Sequence, residues 1–404
     1  MRSFILRQQN GAVVVAGAGP VGLSVAMLLA VRGHDVLVLE REPALVEDMR
    51  ASTFHPATLD IIEQYGLADA LIRQGTVVGQ WQYMIHGTDE RAVFDLGLLS
   101  DLTGHPYRLQ CEQFRLTNLI VEKMRNNPKL SIRFGCELVG IREERDGLVV
   151  EAVENGQSLA FETPRLVAAD GGKSTARKLL GLNFAGSMFP KTSITAVVDF
   201  PFHQYIPNLL GVNYVWTEAA HYSLMQLRDL WRFSYSPDQQ QSIEEAMSDE
   251  VVQAHLCAAF PFAERYPVIS RNYYRLQQRC LESFRVGRVL FAGDAAHLNS
   301  PSGGMGMNSG IHDARCLVEH LAPVLAGGDE SLLDRYSRKR RTIALDEVQR
   351  LSAKNYRRHR ETDPHKRRAI WRELQEIVRS PAKMREYLLD SAMLRSLQRE
   401  QAIQ

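Results

Sequence analysis

The sequence predicts an α/β protein in which a Rossmann-like βαβ unit carries an inserted antiparallel β-sheet and ends in a helical C-terminal tail. Three observations lead there. A short β-type run at residues 12–16 passes into Gly17-Ala18-Gly19-Pro20-Val21-Gly22 and then a helical pattern to about Arg32. Two later apolar runs, 166–169 and 288–292, each lead into a loop carrying an aspartate, Asp170 and Asp294. Between them lie alternating runs at 192–200, 212–216, 222–227 and 231–235, with the period of half-buried strands.

The first unit continues into a second apolar strand, 36–39, that ends in Glu40 and is followed by Arg41. Strand, glycine turn, helix, strand and acid, in that order, are what a dinucleotide-binding unit requires. Gly17 permits the tight turn, Gly19 lets backbone approach a pyrophosphate, and Gly22 allows close helix–strand packing. Unpaired N–H groups at the helix start face the anion. Glu40 stands where a carboxylate can accept from ribose hydroxyls. The unit implies an adenine dinucleotide without saying which one.

The middle block reads Asp170-Gly171-Gly172, then Ser174, Arg177 and a helical run. The last block reads Gly293-Asp294-Ala295-Ala296-His297, then Pro301 and Gly303-Gly304-Met305-Gly306-Met307-Asn308, with a helix over about 307–321. An aspartate just past a strand often serves only as a helix cap. The glycine-rich turn before a helix adds exposed N–H groups that can meet a negative oxygen.

A chain of 404 residues, 45% hydrophobic and 24% charged, can bury a large core as one large or two intimately joined domains. A net charge of +1 argues against a nucleic acid as partner. The five cysteines, at 111, 136, 257, 280 and 316, show neither metal nor redox spacing, so a reduced, cytoplasmic setting and no metal are expected. The apolar stretch 12–30 is interrupted by glycines and is read as the nucleotide motif, not as an export signal or transmembrane segment. From Arg335 onward the chain holds 19 Lys/Arg against 9 Asp/Glu. Ile370, Leu374, Ile377 and Val378 recur there at helical spacing, which predicts a solvated helix packing one face on the body.

Taken together, the three blocks resemble the class A flavoprotein monooxygenases, the family of para-hydroxybenzoate hydroxylase and phenol hydroxylase. The resemblance spans residues 12 to about 316. It implies an FAD-binding domain over 1–71, 113–181 and 286–334, a substrate domain over 72–112 and 182–285, and a basic helical segment over 335–404. Gly17, Gly19, Pro20, Val21, Gly22, Glu40 and Arg41 would then lie at the adenosine half of a non-covalent FAD, Arg50 near its pyrophosphate and Gln110 against the flavin. Asp170 and Arg177 would belong to the DG motif, and Asp294 would hold the ribitol. Pro301 would lie beside the ring, with Gly304, Gly306, Met307 and Asn308 turning backbone toward the pyrimidine oxygen. Ser300 stands where the family often has the first of two prolines.

The implied activity is hydroxylation of a small phenolic or hydroxy-heteroaromatic substrate through a flavin hydroperoxide, with O2 and with NAD(P)H as a transient co-substrate. Tyr214, Trp216, Tyr222 and Gln226 are the candidates for the pocket. The oligomeric state stays open. A flavin-dependent halogenase would need a Trp-x-Trp-x-Ile-Pro signature, yet the tryptophans stand at 81, 216, 231 and 371. A disulfide-reductase-like dehydrogenase would need a redox cysteine pair. A non-catalytic flavin-binding protein would be free to lose Asp170 and Asp294.

Overall fold

The structure, a computed structural model, describes residues 6–9, 11–47, 49, 51–190, 192–218, 220–238 and 240–404. Val13–Ala16 lies inside a six-stranded sheet, flanked by Leu166–Ala168 and Val289–Phe291 on one side and by Val36–Glu40 and Leu130–Phe134 on the other. These five strands are parallel; only the edge strand Arg285–Val286 is antiparallel. The runs of Val, Leu and Ala suit strands buried on both faces, as a parallel sheet covered by helices demands. Helix Pro20–Ala30 starts with proline at N1 and is buried from Gly22 to Ala30, wedged against helix Gly306–Leu325. Ala16, Ala168 and Phe291 are in register. One end of the sheet therefore delivers the Gly17 turn, Asp170 and the Gly293 turn to the same edge.

A second, seven-stranded sheet runs in the order Val268–Tyr274, Ser193–Val198, Leu230–Tyr235, His221–Leu227, Val212–Trp216, Gln80–Ile85 and Arg91–Asp95. The expected antiparallel insert is there, with one exception. Gln80–Ile85 pairs parallel to Val212–Trp216, because an early hairpin docks on the edge of strands made much later in the chain. Alternation of side chains encodes faces but not strand direction. Tyr83, Tyr214, Ser223, Ser234 and Thr195 stand in one row and share a face. The opposite face carries Tyr222, Phe233 and Tyr235 into a core with Phe202, Phe260 and Tyr266. A small sheet of Thr53–Phe54, Arg108–Gln110 and Thr76–Val78 carries Gln110.

The C-terminal segment departs from the expected solvated helix. It forms Ser331–Ile343, a π-helical stretch Ala344–Gln349, then Arg350–His359, Pro364–Val378, Pro381–Ser391 and Leu394–Ala402. Leu374, Leu388, Ala392 and Met393 are buried in one cluster with Trp81, Phe94 and Trp216 of the second sheet. Prolines at the first turns of two helices break the apolar periodicity into short pieces, so no single amphipathic stripe shows. Several of its arginines are paired within the fold: Arg358 with Glu373, Arg385 with Asp101, and Arg395 with Asp390. Among the described residues no helix is long and apolar enough to cross a membrane.

Candidate active site

Where the three central strands end, a cleft of ≈ 420 Å³ opens, lined by the turn at 16–20, by Glu40 and Arg41, and by Asp170 and Gly171. Gly17 has φ +100°, and a Cβ there would meet the Ala169 carbonyl oxygen at 2.5 Å. A Cβ on Gly22 would lie 2.0 Å from the Gly17 carbonyl oxygen. Gly19 has nothing within 4 Å of its would-be Cβ, so backbone there is open to the cleft. Glu40 Oε2 accepts from Ala18 N–H at 2.6 Å and its Oε1 from Glu42 N–H at 2.9 Å, which aims the carboxylate at the glycine turn while each oxygen keeps a second lone pair. Arg41 is exposed and pairs with Glu42 at 3.1 Å. Pro20 opens the helix. Val21 fills the space beside Gly293 and Gly310 and locks the first turn to the last block. Arg50 lies outside the described residues.

Asp170 uses Oδ2 to accept from Ala176 N–H at 3.0 Å, while its Oδ1 is buried without a partner. One half of this carboxylate is thus a helix contact and the other half is available. Arg177 gives Nη1–H to the Ala295 carbonyl at 3.0 Å and Nη2–H to that of Gly172 at 2.6 Å, and its guanidinium lies 3.8 Å from the Phe184 ring. It joins the second block to the third. Asp294 is exposed in the turn Gly293–Ala295. Helix Gly306–Leu325 begins behind Met305 with no side-chain cap, which leaves the first-turn N–H groups of Gly306, Met307 and Asn308 for an external acceptor. The Asn308 side chain itself is spent. It accepts from His55 N–H at 2.9 Å and donates to the carbonyls of Thr53 at 2.8 Å and Gly304 at 2.6 Å. Gln110 is buried, accepts from Thr53 Oγ1 at 2.9 Å and has an unpartnered Nε2. Pro301 is exposed at the start of the loop.

An open glycine turn, a half-used buried carboxylate, an orphaned amide and an uncapped helix start suit a dinucleotide whose charged middle and polar ring edge need such partners. FAD fits these residues. Cys136 also lines this cleft, but burial pushes its thiol up to about 11, so it is a poor nucleophile for a covalent link.

A second pocket lies between the 302–305 loop and the second sheet. Trp81, Tyr83, Tyr214 and Tyr387 wall it, and Arg108, Ser302, Asn355, His359 and Ser391 supply its polar atoms. Of the four expected pocket residues, Tyr214 lines this space. Trp216 shares its sheet face but is drawn to the C-terminal helices, where Nε1–H donates to the His359 carbonyl at 2.9 Å. Tyr222 and Gln226 are corrections. Both point to the opposite face of the sheet, where Tyr222 packs on Phe233 and Phe260 and its hydroxyl meets His86 Nδ1 at 3.0 Å, while Gln226 donates to the Arg228 carbonyl. Sequence reasoning missed Trp81, Arg108, His359 and Tyr387. The last two sit in the segment read as a solvated helix. Arg108 stands two residues before Gln110, and that spacing was the available signal.

Residues 10–351 match the family described as FAD binding domain. The chain belongs to this family. It is 32% identical over 391 residues, 94% of each chain, to para-nitrophenol 4-monooxygenase of Pseudomonas sp. (strain WBC-3). It is 29% identical over 353 residues, 85% of this chain and 88% of the relative, to 6-hydroxy-3-succinoylpyridine 3-monooxygenase HspB of Pseudomonas putida (strain DSM 28022 / S16). Among solved structures it is similar to p-nitrophenol 4-monooxygenase PnpA from Pseudomonas putida DLL-E4, with a TM-score of 0.90 at 30% identity, over 97% of this chain and 98% of that one. It also resembles aklavinone-11 hydroxylase in its complex with FAD and aklavinone, with a TM-score of 0.79 at 25% identity, over 88% of this chain and 70% of that one. The flavoprotein is therefore an FAD-dependent monooxygenase of the aromatic-hydroxylase kind, and the halogenase, dehydrogenase and non-catalytic readings fall away.

Proposed function

We propose that this monooxygenase hydroxylates a small monocyclic phenol or hydroxy-heteroaromatic, with NAD(P)H as a transient reductant and O2 as the oxygen source, in the cytoplasm. The observation that supports this reading is the narrow pocket walled by four aromatic rings against the 302–305 loop. Its volume of ≈ 20 Å³ is on the scale of a single water, so a ring enters only as side chains turn. Two relatives carry nitrophenol or a hydroxylated pyridine in their names, and both are monocycles.

In this reading 1–71, 113–181 and 286–334 bind FAD, while 72–112 and 182–285 bind the substrate, with the C-terminal helices closing the pocket. The glycine turn at Gly17–Gly22 and Glu40 hold the adenosine half, Asp170 and Asp294 hold the polar middle, and the start of helix Gly306–Leu325 with Gln110 meets the ring edge. Bound FAD supplies electron transfer from NAD(P)H and the activation of O2. The chain itself must orient the ring and keep water out. Burial lowers the His359 pKa to about 3, so the imidazole is neutral at ordinary pH. Its Nε2–H donates to the Tyr222 carbonyl at 3.1 Å, which makes Nδ1 the acceptor and suits it to receive a hydrogen bond from a substrate hydroxyl.

The test is a screen of phenols and hydroxy-heteroaromatics for those that accelerate NAD(P)H oxidation, with the product identified by mass. Anaerobic flavin reduction should be at least about tenfold faster with a true substrate than without, as expected when ligand binding shifts a conformational equilibrium. A purified protein that holds FAD but oxygenates no monocycle would refute the reading.

A further inference from the structure

Arg108 is the exception among the buried arginines of this chain that line or adjoin the active site. Arg340 is paired with Asp313 and Glu400, Arg358 with Glu373, and Arg177 with two backbone carbonyls. Arg108 is only 3% exposed, yet among the described residues it makes no ion pair and no side-chain hydrogen bond, and its Nε is buried without a partner. Its guanidinium lies 4.5 Å from the Trp81 ring centroid, held over an aromatic face and not against a carboxylate. A cation taken out of water without a counter-charge is costly, and a cation–π contact offsets only part of that cost. No acidic residue lines the pocket into which Arg108 faces. The counter-charge has to arrive with a ligand.

We propose that Arg108 is the charge-selecting residue of the substrate pocket: it takes the negative oxygen of a monoanionic, monocyclic phenolate and so favours the ionised form of the substrate. This rests on the monocyclic phenol reading above. Trp81 and the tyrosines supply flat apolar walls for the ring, and Arg108 supplies two or more donors at one end, an arrangement suited to a compact anion. Of the other titratable groups at the pocket, burial keeps His55 and His359 neutral by lowering their pKa values to about 3 and keeps the Tyr83 and Tyr387 hydroxyls protonated, while Arg360 beside it is bound to the Ser236 and Ser302 hydroxyls. Arg358, which donates to the Tyr387 hydroxyl at 3.0 Å, is already paired with Glu373. Arg108 is thus the pocket cation left free for the ligand. Stabilising the phenolate also enriches the ring in electrons, which favours its attack on an electrophilic oxygen.

The test uses the FAD-loaded enzyme and 4-nitrophenol, whose visible absorbance reports its own ionisation, with 4-nitroanisole as the uncharged isostere. The parent should bind the phenolate at least about tenfold more tightly than the anisole, and bound nitrophenol should ionise about one pH unit or more below its free value. Arg108→Met should lose both preferences while keeping its FAD content and its affinity for the anisole, and Arg108→Lys should recover part of them. An Arg108→Met enzyme that binds the phenolate as tightly and as ionised as the parent overturns the proposal. So does a variant whose only defect is loss of FAD, since Arg108 would then serve the cofactor. Should Arg108→Met prove insoluble, a parent that makes no distinction between phenolate and anisole refutes it equally. An enzyme that shows the Arg108-dependent anion preference yet oxygenates no monocycle leaves the anion site standing and removes the hydroxylase reading instead.

Discussion

Replacing Asp313 by asparagine should cost this fold several kcal/mol, although the change is isosteric and Asp313 lines neither the nucleotide cleft nor the aromatic pocket. The carboxylate is fully buried in helix Gly306–Leu325. Its Oδ2 accepts from Gly293 N–H at 2.9 Å and from His297 Nε2 at 2.9 Å, and its Oδ1 accepts from Arg340 Nε at 2.5 Å. Burial alone would raise its pKa, but Arg340 and His297 outweigh it and bring the carboxyl to about 2. Arg340 is itself fully buried and also pairs with Glu400. An asparagine removes the charge and can keep only one acceptor oxygen, so at least one of three donors loses its partner and Arg340 keeps a single counter-charge. Breaking a buried pair costs about 3–5 kcal/mol, and because Glu400 remains, about 3 kcal/mol is expected. Urea denaturation followed by far-ultraviolet circular dichroism would show this as a lower midpoint at unchanged slope. FAD should also be held more weakly, since the Gly293 turn loses its anchor. A variant within about 1 kcal/mol of the parent would mean that the network does not carry the load assigned to it.

Asp294→Ala should weaken FAD about ten- to a hundredfold, the loss of about 1.5–3 kcal/mol from a charge-assisted hydrogen bond, measured by fluorescence titration of the apoprotein; unchanged affinity would detach Asp294 from the cofactor. Gly22→Ala should give a colourless protein that fails to take up FAD, because its Cβ would lie 2.0 Å from a backbone carbonyl and the helix must shift off the turn; a yellow variant with parental FAD content would refute this. Acid should destabilise the fold through His55 and His359, both lowered to about 3 chiefly by burial. Their folded pKa values lie below the unfolded 6.5, so this contribution is fully present above about pH 6.5 and is lost toward pH 3, at up to about 1.4 kcal/mol per pH unit for each histidine. Urea midpoints at pH 7.5, 6 and 5 should fall accordingly, and a constant midpoint would contradict it.

The six-stranded sheet was legible because its constraints are local. A glycine at φ +100°, a proline at N1 and an acid at a strand end each leave a residue-level mark, and the apolar runs fix where strands sit. The pocket was less so. Alternation says that Tyr222 and Ser223 face opposite ways without saying which way is inward, and that depends on what covers each face. The helix Asp249–Ala259 and its neighbours cover one, and the C-terminal helices cover the other. The arginines of that segment, seen as a string, look solvated, since their partners Asp101 and Asp313 lie far away in sequence. Arg108 gave no signal beyond its place two residues before Gln110, because its meaning comes from the missing carboxylate around it.

The two halves of the active site are drawn from separate stretches of chain. The nucleotide cleft is built mainly from the early turns and strand ends, whereas one wall of the aromatic pocket comes from Asn355, His359, Tyr387 and Ser391 on late helices. Substrate range can therefore drift, or be redirected in a library confined to those four positions, while the machinery that binds the cofactor is inherited unchanged. The fold separates what is recognised from what performs the oxidation, and that separation makes it a practical starting point for new aromatic oxygenations.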